Sequence, residues 1–369
     1  MYNECIQITR QFAFCPNAFR VDLYKGCDFG CKYCFANMDG FKIQDNDAKL
    51  ADIKKIERLF HNALETDKES KDILVELIRH RVPIHCGGMS DPLQSREWKH
   101  HLTYQLIELS NQYNYPIMFS TKTDNLPEEY FKILNPDIHA FQISIIGWDD
   151  EYIRKWECNT PTAKSRLEFI KKLRDKGFWC GVRIQPIINI VQVENLLYNI
   201  SNNVDYITLE HFKLIFDTET AKNAFFRLCD NKEDFVVENH KLQVRRDIKI
   251  RNIKRIQEIA NGSGVNVGVG DNDLHYMTQG RTCCGIDRIP AFSNYLKYNL
   301  CYMCTGEMRD EVFIPQCNPR KHINDQKFGN VIDCKEYTDD YIQRHLDYLG
   351  ERRTKIEKEL FGISKKKLF

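Results

Sequence analysis

The 369-residue sequence has no run approaching the roughly 20 consecutive apolar residues that a membrane-spanning helix needs. It also opens without an export signal: from Met1 to Arg10 the chain carries Asn, Glu and Gln where a signal peptide requires an apolar stretch. Both absences predict a cytoplasmic protein with no membrane partner. Charge of one sign is lacking too. Lys and Arg number 53 against 52 Asp and Glu, a net charge of +1, so any nucleic-acid surface must be a local patch. There is no internal repeat, and no low-complexity run beyond Lys365, Lys366 and Lys367. With 42% hydrophobic and 28% charged residues, a large core is available and global disorder is excluded. The length allows one large domain with an appendage, or two ordinary domains.

Cysteine is what the chain has in excess: 15 residues, an odd number in a long chain without an export signal. That pattern argues against a disulfide framework and leaves metal ligation, catalysis or buried thiols. The cysteines also cluster. Cys27, Cys31 and Cys34 lie near the start, and Cys283, Cys284, Cys301, Cys304 and Cys317 near the end. Cys5, Cys15, Cys158, Cys180 and Cys229 stand apart and read as packing residues.

The middle of the chain alternates strand-like and helix-like patterns. Strands are predicted at Phe19–Tyr24, Val82–Cys86, Pro116–Thr121, Ala140–Ile145, Cys180–Pro186, Tyr206–Glu210 and Val265–Val269. Helices are predicted at Ala48–Thr66, Trp98–Tyr113, Pro127–Ile133, Ala163–Lys176 and Ile248–Ala260. This alternation predicts an α/β fold, a partial (β/α)6-type TIM barrel over residues 19–271, with sites at the C-terminal ends of its strands. Residues 1–18 form an N-terminal extension, and charged residues 217–246 an insertion. Residues 272–369 form a C-terminal Cys-rich module, ending in a basic helix over Tyr341–Phe361 that is either a solvated face or a binding arm.

The run Gly26-Cys27-Asp28-Phe29-Gly30-Cys31-Lys32-Tyr33-Cys34-Phe35 has the spacing C-x3-C-x2-C directly after the first strand. Three thiolates on one short loop can converge on a cubane that normally takes four, which leaves one iron open to a ligand. Gly26 and Gly30 let the chain wrap around the inorganic core. Zinc would need a fourth nearby Cys or His, and the nearest, His61, lies in a predicted helix.

With an aromatic on either side of its last cysteine, this motif resembles that of radical S-adenosylmethionine (SAM) enzymes. The resemblance implies a [4Fe–4S] cluster on Cys27, Cys31 and Cys34 that reductively cleaves SAM to a 5′-deoxyadenosyl radical, which then removes a hydrogen atom from substrate. It also implies an external electron donor such as flavodoxin or ferredoxin. Further elements resemble the spore photoproduct lyase branch. His85-Cys86-Gly87-Gly88-Met89-Ser90-Asp91-Pro92 stands where the family has a glycine-rich approach to SAM, implying cofactor contacts at Gly87 and Gly88. Ser120-Thr121-Lys122-Thr123 resembles the element whose lysine binds the SAM carboxylate. Gln142-Ile143-Ser144-Ile145 makes Ser144 a cofactor contact, and Trp156-Glu157 with Pro161 and Arg166 resembles the following Glu–Pro…Arg segment. Arg183 in the fifth strand is a further cofactor-binding candidate. The lyase carries a hydrogen-donating cysteine where this chain has Gly88; Cys86, two residues earlier and on the same face by period two, is the candidate replacement.

At the other end, Cys284, Cys301, Cys304 and Cys317 are candidate ligands for a second [4Fe–4S] cluster or for zinc. Without such a metal, Cys283 or Cys284 becomes the candidate hydrogen donor. Phe292, Tyr295, Tyr298 and Tyr302 with Arg281 and Arg288 could stack and hold bases, or could simply cover a cluster. The expected function is a radical SAM enzyme acting on nucleic acid or peptide, in modification or repair. Its outcome as lyase, oxidoreductase or transferase stays open. The alternative is a non-catalytic iron–sulfur or zinc protein in nucleic-acid binding or redox sensing.

Overall fold

The computed structural model describes residues 4–9, 17, 19–37, 49–67, 70, 72–215, 219–238, 241–271, 274–280, 282–295, 306–309 and 312–315. In chain order, β1 (Ile6–Ile8), β2 (Phe19–Val21), β3 (Tyr24–Lys25) and β4 (Lys49–Leu50) precede α1 (Ile53–Leu64) and α2 (Ile73–Arg79). Then come β5 (Ile84–Cys86), α3 (Glu97–His100), α4 (Leu102–Tyr113), β6 (Ile117–Thr121), α5 (Glu128–Ile133) and β7 (His139–Ser144). The next elements are α6 (Asp150–Trp156), α7 (Ala163–Asp175), β8 (Trp179–Ile187), α8 (Ile190–Ile200) and β9 (Tyr206–His211). Next are β10 (Lys213–Ile215), α9 (Glu219–Leu228), β11 (Phe235–Glu238), β12 (Lys241–Val244), α10 (Arg246–Gly262) and β13 (Val267–Val269), and β14 (Gly306–Arg309) pairs antiparallel with β15 (Val312–Pro315).

The central sheet has the order β1-β2-β5-β6-β7-β8-β9-β13. Only β1 is antiparallel to its neighbour; the remaining strands run parallel, with six crossovers between them. The sheet is an open α/β barrel with β1 and β13 as its edges. Alternation decides what faces where. Phe119 and Phe141 stack at 5.5 Å in the layer beneath the helices, while Met118, Ser120 and Gln142 turn to the concave side.

Local chemistry explains where elements start and stop. The Thr162 hydroxyl accepts the Ser165 amide at 3.1 Å and so caps α7. Gly177, at φ 89°, ends that segment. The single helix expected over Trp98–Tyr113 is instead broken at His101, at φ 53°. The cause is the buried Glu97 carboxylate, which accepts the Thr103 and Tyr104 amides at 2.9 and 3.0 Å and thereby starts α4 afresh. The strand expected over Phe19–Tyr24 is likewise split, because Asp22 turns aside to accept the Met89 and Ser90 amides at 2.6 and 3.3 Å.

The charged insertion is a regular unit: β10, β12 and β11 form an antiparallel sheet, with α9 beside it. Phe225 of α9 stacks on Phe212 at 4.2 Å, and Trp156 closes the same apolar cluster. Ile286, Ile289, Phe292 and Tyr295 pack with Met118, Ala140 and Trp179, filling the concave side near the strands' N-terminal ends. Cys301, Cys304, Cys317 and the helix expected at Tyr341–Phe361 lie outside the described residues, as do Cys15, Arg281, Tyr298 and Tyr302.

A buried histidine gives the fold a pH signature. His139 accepts the Asn135 amide on Nδ1 at 2.9 Å, and its Nε2 lies 2.9 Å from the Ser110 hydroxyl. The ring is held neutral, and burial pushes its pKa from 6.5 down to about 3. Unfolded, it binds a proton near pH 6.5, so protonation favours the unfolded chain. Its contribution is intact above pH 6.5 and is lost as pH falls toward 3, by up to about 1.4 kcal/mol per pH unit. Urea midpoints measured between pH 7 and pH 5 should fall less steeply in His139→Gln than in wild type. Equal slopes would show that the ring does not titrate in this way.

Candidate active site

The loop Gly26–Phe35 follows β3, and two glycines shape it, at φ 107° for Gly26 and 64° for Gly30. The segment after α6 clamps it. Lys32 N donates to Trp156 O at 2.9 Å, Asn159 N to Phe29 O at 3.1 Å, and Asn159 Nδ2 to Asp28 O at 2.8 Å. From the other side, Gln94 Nε2 donates to Gly26 O at 3.1 Å and Ser95 N to Asp28 Oδ2 at 3.0 Å.

On this loop Cys31 is buried, while Cys27 and Cys34 are half-buried. Burial pushes the Cys27 thiol up to about 12. The Cys31 thiol is raised as well, first by burial, with Lys122 opposing and Glu157, Cys27 and Cys34 reinforcing. Cys31 therefore lies within electrostatic reach of both other thiols and of Lys122. Among the described residues no three His, Cys, Asp or Glu side chains already stand as a metal cage. The sulfurs share one clamped loop without closing on a point. As a donor set, three soft thiols with no fourth protein ligand suit an iron–sulfur cubane with one open iron.

Glu157 is the hub beside the loop. Its carboxylate accepts the Tyr33 hydroxyl, Thr160 Oγ1 at 3.0 Å and Arg166 Nη2 at 2.7 Å. Burial works to raise its pKa, but Arg166, Lys122 and the Tyr33 hydroxyl outweigh it and hold the carboxyl low. Arg166 is wholly buried. It donates to Pro161 O from Nε at 3.0 Å, to Ser144 O from Nη1 at 2.6 Å, and to Glu157 from Nη2. All three nitrogens donate to protein oxygens, so Arg166 ties Glu157, Pro161 and the end of β7 together. Ser144, also buried, ends β7 where Arg166 grips its carbonyl.

Lys122 sits just past β6, its ammonium 5.9 Å from the Tyr33 ring centroid. Burial lowers its pKa, the charges of Cys31, Glu157 and Asp91 more than offset this, and the net shift is upward. It is a firmly charged cation next to the cysteine loop. Asp91 accepts the Lys122 amide and the Thr121 hydroxyl, both at 2.7 Å, and so joins the glycine loop to the end of β6. Gly87, at φ 101°, has no room for a Cβ, which would lie 2.8 Å from Pro92 Cδ and run into the Ser120 carbonyl.

That left-handed residue overturns the reading of Cys86. Period two does not carry across it, so Cys86 and Gly88 do not share a face. Cys86 is fully buried in the apolar layer under the helices, and His85 faces the concave side instead. There a polar cavity is lined by Arg20, His85, Gly88, Gln142, Arg183, Gln185, Thr208 and Glu210, joined by Cys283 and Cys284. Arg183 thus faces inward, its Nε donating to Gln185. His85 Nε2 lies 2.7 Å from the Ser120 hydroxyl; burial, then Arg183 and Arg20, drive its pKa down to about 3. Cys283 and Cys284 belong to this wall. Phe292 and Tyr295 are buried beneath it and unavailable for stacking.

Sequence reasoning named Glu157 only as part of a resembling segment, and it passed over Asp22, Asp91, Gln142, Thr208 and Glu210 as site residues. Asp22 and Asp91 act across 30 to 68 residues of chain and leave no local signal. Gln142, Thr208 and Glu210 did leave one, as polar residues every second position on otherwise apolar strands.

Residues 21–190 match the family described as the Radical SAM superfamily. Two solved spore photoproduct lyase variants align with TM-scores of 0.50 at 16% identity, over 68% and 69% of this chain and 75% and 77% of theirs. At that identity the likeness is one of fold. Uncharacterized proteins of Mycobacterium bovis and Mycobacterium tuberculosis are 24% identical over 184 residues, 47% of this chain. The chain spans about half the length of these curated relatives, 50% in each.

Proposed function

Residues 21–190 form a radical SAM domain, and from that premise we propose that the chain cleaves SAM reductively and initiates radical chemistry on a substrate held in its concave polar cavity. The observation that carries this reading is the junction of the cysteine loop, Lys122 and the Gly87–Gly88 turn at the C-terminal ends of β5 and β6. Cys27, Cys31 and Cys34 would hold a [4Fe–4S] cluster. With SAM bound, it would supply a 5′-deoxyadenosyl radical able to remove a hydrogen atom. An electron donor of the flavodoxin or ferredoxin type would feed it.

The chain's own residues take the remaining tasks. Lys122 offers its ammonium to the SAM carboxylate as a point charge. Gly88 leaves backbone exposed to a ligand, and Glu157 with Arg166 keeps the loop in place. The cavity presents Arg183, Gln142, Gln185 and Thr208, with His85 as the one ring among its described lining residues. Such a lining favours a hydrogen-bonding part of a nucleic acid or peptide over a stacked base. A thiol of Cys283 or Cys284 is the candidate that returns hydrogen to the substrate radical. A non-catalytic metal protein would need neither Lys122 in this place nor a polar cavity beside it.

The test is anaerobic reconstitution followed by dithionite and SAM, with 5′-deoxyadenosine and methionine as expected products. Reconstituted protein that holds iron yet forms neither would refute the reading. Lys122→Ala should weaken SAM binding by about 1.5–3 kcal/mol, the range for a hydrogen bond to a charged group. That corresponds to a Kd raised by about 10- to 150-fold with iron content unchanged, measurable by equilibrium dialysis. An unaltered Kd would remove Lys122 from the cofactor site.

A further inference from the structure

Cys283 and Cys284 are adjacent thiols on the wall of the polar cavity, opposite Gly88 and His85. Their turn is pinned from three strands. Gly268 of β13 has no space for a Cβ, which would run into the Cys283 backbone. Gly285, at φ 74°, lies so close to β9 that a Cβ there would stand 2.6 Å from the Tyr206 ring. The Tyr206 hydroxyl reaches Gln279 O at 3.0 Å and Thr282 O at 2.9 Å, and Gln142 Nε2 donates to Cys284 O at 3.2 Å. Thiols serving as small apolar filler need no such fixation and no polar cavity.

The two sulfurs are unlike. Cys284 Sγ faces Asn17 Nδ2 at 3.8 Å and also receives the Cys283 thiol and the Ile286 amide. Within the pair the Cys283 thiol donates and the Cys284 sulfur accepts.

We propose that Cys283 and Cys284 work as one redox unit: Cys283 gives a hydrogen atom to a carbon radical in the cavity, and Cys284 captures the resulting thiyl as a vicinal disulfide. This rests on the radical reading above. In the first step the Cys283 S–H bond breaks and a C–H bond forms. In the second the Cys284 thiol gives its proton to water and its sulfur joins the Cys283 sulfur. An S–S bond forms with one electron in excess, which passes to a one-electron acceptor of the iron–sulfur or flavin class. A dithiol reductant of the thioredoxin class then reopens the bridge. Neighbouring Cα atoms are about 3.8 Å apart, shorter than the roughly 4.4–6.8 Å usual for disulfides. The bridge is therefore strained and readily reduced, as turnover requires.

The first test uses metal-free full-length protein in buffers of reduced and oxidised dithiothreitol, with free thiols trapped by iodoacetamide. The peptide carrying Cys283 and Cys284 should move from doubly alkylated to unalkylated, and about 2 Da lighter than the free dithiol, as the buffer becomes oxidising. A pair that stays doubly alkylated across the series overturns the proposal. The second test uses reconstituted protein with SAM and dithionite in D2O, where the thiol carries deuterium. Wild type should place solvent deuterium in 5′-deoxyadenosine, and Cys283→Ser and Cys283→Ala should not. Label absent from wild type, or retained in both variants, overturns the pair's role while leaving the radical reading standing. Absence of 5′-deoxyadenosine itself marks failure of that reading instead.

Discussion

Replacing any one of Cys27, Cys31 and Cys34 with alanine is expected to remove both the iron and the SAM cleavage. On the proposed reading each would supply one of only three protein thiolates to a cubane that normally takes four, and no other cysteine lies on their loop. The clamps at Lys32, Asn159 and Gln94 fix the loop's path, so a distant cysteine cannot take the vacated place. Losing a supporting partner of a metal ligand typically costs about 10- to 100-fold in affinity or activity, and losing the ligand itself should exceed the upper figure. Iron per chain after anaerobic reconstitution, and 5′-deoxyadenosine per hour, are the two readouts. Near wild-type values for either in any single variant would end the assignment of this loop as the cluster site.

A second large effect is expected at Arg166. Arg166→Leu removes the cation from Glu157 while both positions stay wholly buried, and breaking such a pair typically costs about 3–5 kcal/mol. Urea or thermal unfolding should show the loss directly. Glu157 also accepts the Tyr33 hydroxyl, so cluster retention should fall with stability. The double variant Glu157→Gln with Arg166→Leu should be less destabilised than the sum of the singles, because no buried charge is left unpaired. A single variant within about 1 kcal/mol of wild type would mean that the pair is solvated and not a support.

Much of this was legible in the chain. The C-x3-C-x2-C spacing located the loop, and the alternation of strand and helix patterns located the parallel strands to within two or three residues at their ends. What escaped shares a physical cause. Cys86 was placed by period two, which holds only while φ stays in the β region, and Gly87 at φ 101° breaks it. The division between α3 and α4 depends on Glu97, a helix-forming residue whose carboxylate turns back to the amides of the next turn. The Cys284 carbonyl meets Gln142 across 142 residues, a contact that the spacing of cysteines does not signal.

The stretch Ile286–Tyr295 has a practical bearing on how this protein can be divided. A fragment ending at Asp271 would keep every strand of the central sheet and every cysteine of the Gly26–Phe35 loop, and would look like a complete catalytic core on a sequence map. It would lack its floor. Met118, Ala140 and Trp179 would face solvent, and water would reach the interior from the strands' N-terminal ends. A reactive carbon centre generated above would then meet solvent and stray solutes from below. The smallest useful truncation therefore ends after Tyr295, and a shorter one should behave as a leaky vessel even where its spectrum reports an intact cluster.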